Sequence, residues 1–388
     1  MIARNFHCEQ KCLQSYGLFY PKLKKCSIDC DIDVDGGSPT LPGVQGLSAV
    51  DSLLFKPVTD GLANFSTIQH FLDDLCEKYD YSVNLNANSD HRLHCRKKGF
   101  SNEGRRLRYL EITHQGRPRP GKTIAVVGGL HGNQWLTVAT VFHFLEYLLL
   151  DPIGKDLKTR FDWLLIPLAN PDGFVYSHEN ETNYSKNRCP KSNDKQLCFG
   201  TDLNWNFDSN WGVGRVSFNE SDEEFPGKSP VSEPETQALQ DLISMYCENL
   251  EILAVFNLAT YGGRIGIPYG TGSKVFNYKE LYRIGKTMSA AMSGGLYQVG
   301  NTKMLEMRQR SGSLEDWVSE KTNVKYSFNI ALVHGIDENN ANETALKEDT
   351  KLHARDFWNG VKAIVGEMKG RTMVYKEMTI WTGFLPQF

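Results

Sequence analysis

The strongest constraint on how this chain can fold is a short apolar run, Thr123-Ile-Ala-Val-Val127, that stops against Gly128-Gly129. An uninterrupted run of this kind reads as a strand covered on both faces, because a strand with one wet face would alternate. Around it helical and extended patterns take turns. Thr67 to Tyr79 carries Ile68, Phe71, Leu72 and Leu75 at helical spacing, and Leu107 to Ile112 reads as strand. Val138 to Leu149 reads as helix, Trp163-Leu-Leu-Ile-Pro167 as strand, and Glu233 to Met245 as helix, opening on Ser232 as its cap. This alternation predicts an α/β fold with a mixed, largely parallel sheet sandwiched by helices, and places any site at the carboxyl ends of the strands.

At 388 residues there is room for one large α/β domain and a small appendage. The net charge of −3 leaves no broad basic field, so no nucleic-acid partner is expected. Lys22-Leu-Lys24-Lys25 and Arg96-Lys97-Lys98 read as solvated surface. The longest apolar candidate for a membrane span, Phe142 to Leu150, contains His143 and Glu146 and reads as a core helix, so no membrane span is expected.

Four of the nine cysteines crowd the beginning. Cys8-x-x-x-Cys12 and Cys26-x-x-x-Cys30 are mirrored about Gly17 and Pro21, and cysteines four apart share a helix face. An antiparallel helical hairpin follows, with Cys8 paired to Cys30 and Cys12 to Cys26; its spacing is similar to that of twin Cys-x-x-x-Cys hairpin proteins. A four-cysteine zinc knot is the rival. Cys189 and Cys198 bracket a short loop and are expected to form a disulfide, Cys76 and Cys95 flank the first helix and the strand after it and are candidate partners, and Cys247 is left as a buried thiol. The stretch Asp33-Val-Asp-Gly36-Gly-Ser-Pro39-Thr-Leu-Pro42-Gly reads as linker. The expected organisation is a hairpin at 1–34, a linker at 35–61, the main domain at 62–370 and a tail at 371–388.

A series of ordered motifs runs through the main domain: His131-Gly-Asn-Gln134-Trp, Asn170-Pro-Asp-Gly173, Asp202-Leu-Asn204-Trp205-Asn206, Ser232-Glu-Pro-Glu235-Thr, Ile267-Pro-Tyr-Gly270, Gly312-Ser313 with Asp316-Trp317, and Lys325-Tyr-Ser-Phe328. In order and spacing they resemble the zinc carboxypeptidase family over roughly residues 62 to 370. The resemblance implies the family's fold and a metal site opened by a His-x-x-Glu pair.

The residues that carry the family's chemistry differ here. A catalytic zinc needs three protein ligands and an open position for water. His131 matches the first ligand, Gln134 stands where the glutamate belongs, and Ala259 falls on the second histidine. A neutral amide is a poor donor to a dication, so zinc is not expected. The general base, a carboxylate that takes the proton of the attacking water, is replaced by Ala331, and the tyrosine that closes over the substrate by Arg308. The arginines that clamp a terminal carboxylate correspond to Ser185-Lys186-Asn187-Arg188 and to Trp205. Asn204 and Arg105 persist, the latter resembling a more distant substrate contact; Glu315 lies near the family's specificity pocket, where it would favour a basic side chain, but surface placement is the simpler expectation for it. Cys198 resembles a family cysteine whose usual partner is here Ser221, which makes Cys189 the substitute.

Changes confined to chemical positions, with the glycines and prolines of the scaffold retained, point to a pseudoenzyme that binds a peptide or protein ligand without cutting it. Two rivals stand beside this. An active metallocarboxypeptidase would bind zinc at His131 with help from His178 or His334; a structural or storage protein would use the cysteine hairpin for assembly. No apolar signal segment is visible in Met1-Ile-Ala-Arg-Asn-Phe-His-Cys8. The cysteines, the family's habit of secretion and five Asn-x-Ser/Thr sequons at Asn64, Asn180, Asn183, Asn219 and Asn342 favour a secreted or luminal glycoprotein.

Overall fold

The computed structural model describes residues 49–59, 63–82, 91–114, 122–189, 199–249, 251–333 and 343–368. The expected hairpin at Cys8, Cys12, Cys26 and Cys30 lies outside these residues, as do Cys198, Asn342, His334 and the tail. In chain order the elements are α1 (Ala49–Thr59), α2 (Phe65–Ser82), β1 (His91–Phe100), β2 (Arg106–His114), β3 (Lys122–Val127), α3 (Trp135–Leu150), α4 (Pro152–Arg160), β4 (Asp162–Ile166), α5 (Pro171–Glu179), α6 (Pro234–Asn249), β5 (Glu251–Thr260), β6 (Arg264–Ile267), α7 (Tyr278–Ala291), β7 (Gln298–Asn301), α8 (Thr302–Glu306), α9 (Leu314–Lys321), β8 (Tyr326–Leu332) and α10 (Glu343–Val365). A 3₁₀ turn covers Leu203–Trp205 and another Ser293–Gly295.

The strands form one eight-stranded sheet in the order β1-β2-β4-β3-β5-β8-β6-β7. Its centre, β4-β3-β5-β8, is parallel, so four strands end on one side of the molecule. Antiparallel pairs join β1 to β2, β2 to β4 and β6 to β8. The apolar run that announced β3 is buried from Ile124 to Val127, as both layers of helices require. On one face Phe256 stacks on Phe328 at 5.9 Å and meets Phe357 of α10 edge-on at 5.8 Å. The other face packs Val127, Val255, Leu314 and Trp317. Among the described residues no single helix is long and apolar enough to cross a membrane.

Part of the expected linker is structural. α1 lies within 35–61, and its Phe55 and Val58 are buried in the main core, with Phe55 edge-on to Phe71 of α2. The Gly/Pro signal marks only the stretch before it; a helix containing Pro57 gives weak periodicity that tertiary burial overrides.

Two features pin the periphery. A disulfide joins Cys76 on α2 to Cys95 on the edge strand β1. On the opposite side the segment before Cys189 is held to α6: Asn187 Nδ2 donates to Glu233 Oε2 (2.8 Å) and Glu235 Oε2 (3.1 Å), while Asn187 Oδ1 accepts from Thr201 N–H (2.7 Å). Glu235 is fully buried, and burial pushes its carboxyl up to about 8, with Asp172 and Glu233 adding to the rise.

Replacing both cysteines, C76A/C95A, closes no loop across the 19-residue separation and is expected to lower stability by about 3 kcal/mol, read as a shift in the urea midpoint without reductant. For Glu235 the folded state keeps a proton that the unfolded chain releases near pH 4 to 5, so this group's contribution to stability falls as pH rises towards 8. Glu235→Gln mimics the neutral acid. The stability lost between about pH 5 and about pH 8 should therefore be smaller in E235Q than in the unaltered protein, measured by urea unfolding at both pH values.

Candidate active site and family membership

The site is assembled where β3, β5 and β8 end. After β3 the chain turns through Gly129, whose φ of +61° no ordinary side chain adopts readily. It then passes so close to α5 that a Cβ on Gly132 would stand 2.5 Å from the Gly173 backbone. Gly132 N–H donates to Ser185 O (2.7 Å), and Asn170, the N-cap of α5, accepts from Gly173 N–H (2.9 Å) and donates to Leu130 O (3.3 Å). His131 is thereby fixed between two backbone anchors.

Its Nε2–H donates to Asp202 Oδ1 at 2.7 Å, and Asp202 also accepts from Asn204 N–H at 2.9 Å. Burial alone would raise the Asp202 carboxyl; His131, Arg310 and the Asn204 N–H outweigh it and hold the group below the usual carboxylate range. An acidic partner on the far nitrogen is how proteins orient an imidazole that faces a metal. Here that outer arrangement survives.

At the positions that accompany His131 stand a buried amide and two alanines. Gln134 sits just ahead of α3 and is buried; its Nε2 donates to Thr260 O (3.1 Å), and among the described residues its Oε1 has no hydrogen-bond partner. Ala259 lies directly opposite Ala331 in the β5–β8 register. Two methyl groups therefore meet at the strand ends, offering neither a lone pair nor a proton acceptor. Among the described residues no three His, Cys, Asp or Glu side chains converge. One imidazole, one amide turned to a carbonyl and one methyl do not fit a zinc ion. His178 is no replacement donor by its packing: its ring lies against Trp135 (4.0 Å) and Phe174 (4.3 Å), with Nδ1 on Phe174 O (3.0 Å).

The cations around the mouth are already committed. Arg308 Nη1 donates to Glu224 Oε1 (2.8 Å) and its Nε to Glu306 Oε2 (3.3 Å). Arg105 Nη1 donates to Asp172 Oδ1 (2.7 Å) and Glu103 Oε2 (2.5 Å); Ser101 Oγ–H and Glu103 N–H complete the shell of the buried Asp172. Lys186 is buried with Nζ on Glu220 O and Asp222 O, both 2.7 Å away, and burial lowers its ammonium to about 8. The Arg188 guanidinium lies 3.9 Å from the centre of the Tyr176 ring. Ser185, at the start of the segment that corresponds to the clamp, contributes its carbonyl to the His131 loop.

Trp205 is only 2% exposed, and its carbonyl would stand 2.1 Å from a Cβ on Gly312, so it fills the wall behind the mouth. Asn204 is equally buried and accepts from Leu314 N–H at 3.0 Å. Glu315 is not a surface residue: it is 1% exposed, with Oε2 accepting from Asn257 Nδ2 at 3.0 Å. Its neighbour Asp316 accepts from Gly270 N–H (2.9 Å) and is pushed up by burial and by Glu315.

One member of this group goes unnoticed in sequence reasoning. Arg310, buried 5.6 Å from the centre of the Trp205 ring, keeps its charge because Glu306, Glu315, Asp202 and Asp316 offset the desolvation that would lower it. Its signal in the sequence is a second arginine two residues after the one at the tyrosine position, Arg308-Gln-Arg310.

A model of the zinc carboxypeptidase family matches residues 78–352. Carboxypeptidase O of Bos taurus is 31% identical over 274 residues, 68% of each chain. The carboxypeptidase B of Helicoverpa zea is 29% identical over 269 residues, 66% of this chain, which spans 59% of that relative's length. The "Inactive metallocarboxypeptidase ECM14" of Paracoccidioides lutzii is 26% identical over 342 residues, 81% of this chain and 54% of that one. The carboxypeptidase A structure from Helicoverpa armigera shares the fold with a TM-score of 0.69 at 24% identity, covering 79% of this chain and 74% of its own. The matched span takes in the loop of His131, the Asp202 motif and the paired ends of β5 and β8, and on these grounds the chain belongs to the zinc carboxypeptidase family.

Proposed function

We propose that this chain is a non-catalytic member of its family, which holds a peptide or protein ligand at the strand ends and does not hydrolyse it. The observation that carries this is the register pair Ala259 and Ala331, together with the amide of Gln134 turned onto Thr260 O. A hydrolytic site needs ligands for the metal and a carboxylate to take the proton of water. At the three positions that would supply them stand two methyls and an amide. The relatives named inactive metallocarboxypeptidases support the same conclusion.

What remains can bind. With Nε2 committed to Asp202, the His131 ring has Nδ1 left to meet a donor on a ligand. The clamp segment carries one arginine whose charge rests on Tyr176 and Tyr184, so a C-terminal carboxylate has no bidentate anchor there and recognition rests on other parts of the ligand. Secretion is part of this reading: the Cys76–Cys95 bridge and the disulfide-bonded Cys189 belong to an oxidising compartment.

The rival with an active zinc site is favoured by the 31% identity to a carboxypeptidase O, and one experiment separates the two. Metal content of the purified chain, measured with hydrolysis of a C-terminal dipeptide panel in added zinc, should show neither stoichiometric zinc nor product. Stoichiometric zinc with chelator-sensitive release of a C-terminal residue would overturn the proposal. A gain of function tests the cause: because the Asp202 support for His131 is intact, the double variant Gln134→Glu, Ala259→His should retain zinc through gel filtration where the unaltered chain does not.

A further inference from the structure

Four of the five sequons fall on described residues, and they are not equivalent. Asn64 caps α2, its Oδ1 accepting from Thr67 N–H (2.9 Å) and the Thr67 hydroxyl (3.1 Å). Asn219 is closed into its own turn: Nδ2 donates to Asp222 Oδ1 (3.2 Å) and Oδ1 accepts from Ser221 N–H (3.2 Å). Asn180 and Asn183 differ from both. They sit in tandem, Asn180-Glu-Thr182 and Asn183-Tyr-Ser185, on a fully exposed run from Glu179 to Asn183, and among the described residues neither side-chain amide is engaged.

The backbone of this run is nevertheless fixed. Asn180 and Glu181 N–H both donate to Tyr176 O, Tyr184 N–H donates to Glu181 O (2.9 Å), and Tyr184 OH donates to Asn187 O (2.7 Å). The same segment borders the site. Asn183 O accepts from Asn133 Nδ2 (3.0 Å), one residue before Gln134, and Ser185 O accepts from Gly132 N–H (2.7 Å), one residue after His131. A group attached to Asn183 is thus tied to the rim of the mouth through its own carbonyl.

We infer that the Asn180–Asn183 run is an N-glycan attachment site, and that the glycan stands at the rim of the ligand-binding mouth and narrows what can enter. The donor class is a lipid-linked oligosaccharyl diphosphate. The asparagine Nδ2 forms a bond to C1 of the first sugar, the C1–O bond to the diphosphate breaks with its electron pair leaving on the lipid diphosphate, and Nδ2 gives up one proton. Oδ1 and the second N–H stay in place, so neither the Asn133 contact nor the turn is broken. The inference rests on the proposed secretory route. The consequence is selectivity by size: a slender peptide, or an extended segment of a protein, passes the sugar more readily than a bulky folded domain.

The test uses the full chain expressed with a supplied signal segment in a eukaryotic cell, with secretion into the medium scored first. Secreted protein should lose mass on treatment with peptide N-glycosidase, with Asn180 or Asn183 converted to aspartate in the peptide map, and N180Q/N183Q should lack that part of the shift while remaining secreted. Secreted protein whose Asn180 and Asn183 peptides are both unmodified, including the case in which only Asn64, Asn219 or Asn342 carries sugar, overturns the inference. Failure to leave the cell in both the unaltered chain and N180Q/N183Q removes the secretory reading, and the glycan with it. A double variant that alone fails to leave the cell is replaced by S185A with T182A, which removes both sequons and keeps both asparagines.

Discussion

The parallel register of β5 against β8 is the constraint on which the site depends. Seven consecutive pairs run from Ala254 with Tyr326 to Thr260 with Leu332, so whatever stands at the last positions of one strand faces its counterpart on the next. Burial on both faces rules out a slip, because a shift of one residue would turn Phe256 and Phe328 out of their layer and carry Asn257 and Asn329 into it. The geometry that would align a metal ligand with a general base is therefore enforced by core packing and persists when both side chains are reduced to alanine. A scaffold of this sort holds its shape independently of the side chains that stand at its strand ends.

The electrostatics of the mouth follow from the same persistence. Removing charged inner groups while leaving the outer ones would strand buried carboxylates, which is costly unless each finds a partner. Asp202 keeps His131 and the Asn204 N–H; Asp172 keeps Arg105 and a backbone amide; Glu315 keeps Asn257; and Arg310 sits among the acids as their common counter-charge. Each of these bonds lies one step away from where a reaction would occur. The polar groups behind the strand ends are thus paired with one another, and their charges are offset from within.

Much of this was legible in the residues. The run Ile124 to Val127 located the sheet centre because a strand buried on both faces leaves no alternation, and the ordered motifs located the loops that the strand ends support. Ala259 and Ala331, which the sequence spacing reads as chemical positions, pair directly across two strands. What escaped did so for physical reasons. α1 hides behind a linker signal because, among its described side chains, Phe55 and Val58 are the apolar ones fully buried, too few to make a clear helical period. Glu315 looked like surface because a carboxylate is seldom fully buried, and only the fold brings Asn257 to it from elsewhere in the chain. Arg310 has Glu306 four residues before it in sequence, but the approach of Asp202, which completes its surroundings, is set by the fold alone.

The sheet ends in two unlike ways. β1 is ten residues long and carries Arg92, Arg96, Lys97 and Lys98, of which Arg96 meets Glu111 (3.6 Å) and Lys98 meets Asp241 (3.8 Å), while β7 at the other side is four residues and stops at the turn into α8. Among the described residues β1 is an edge strand; a long edge invites a strand from a second molecule, and charged side chains on it discourage that pairing. The short edge offers too few free groups to hold a stranger. The two flanks thus discourage, each in its own way, the strand-on-strand association to which an eight-stranded sheet would otherwise be prone.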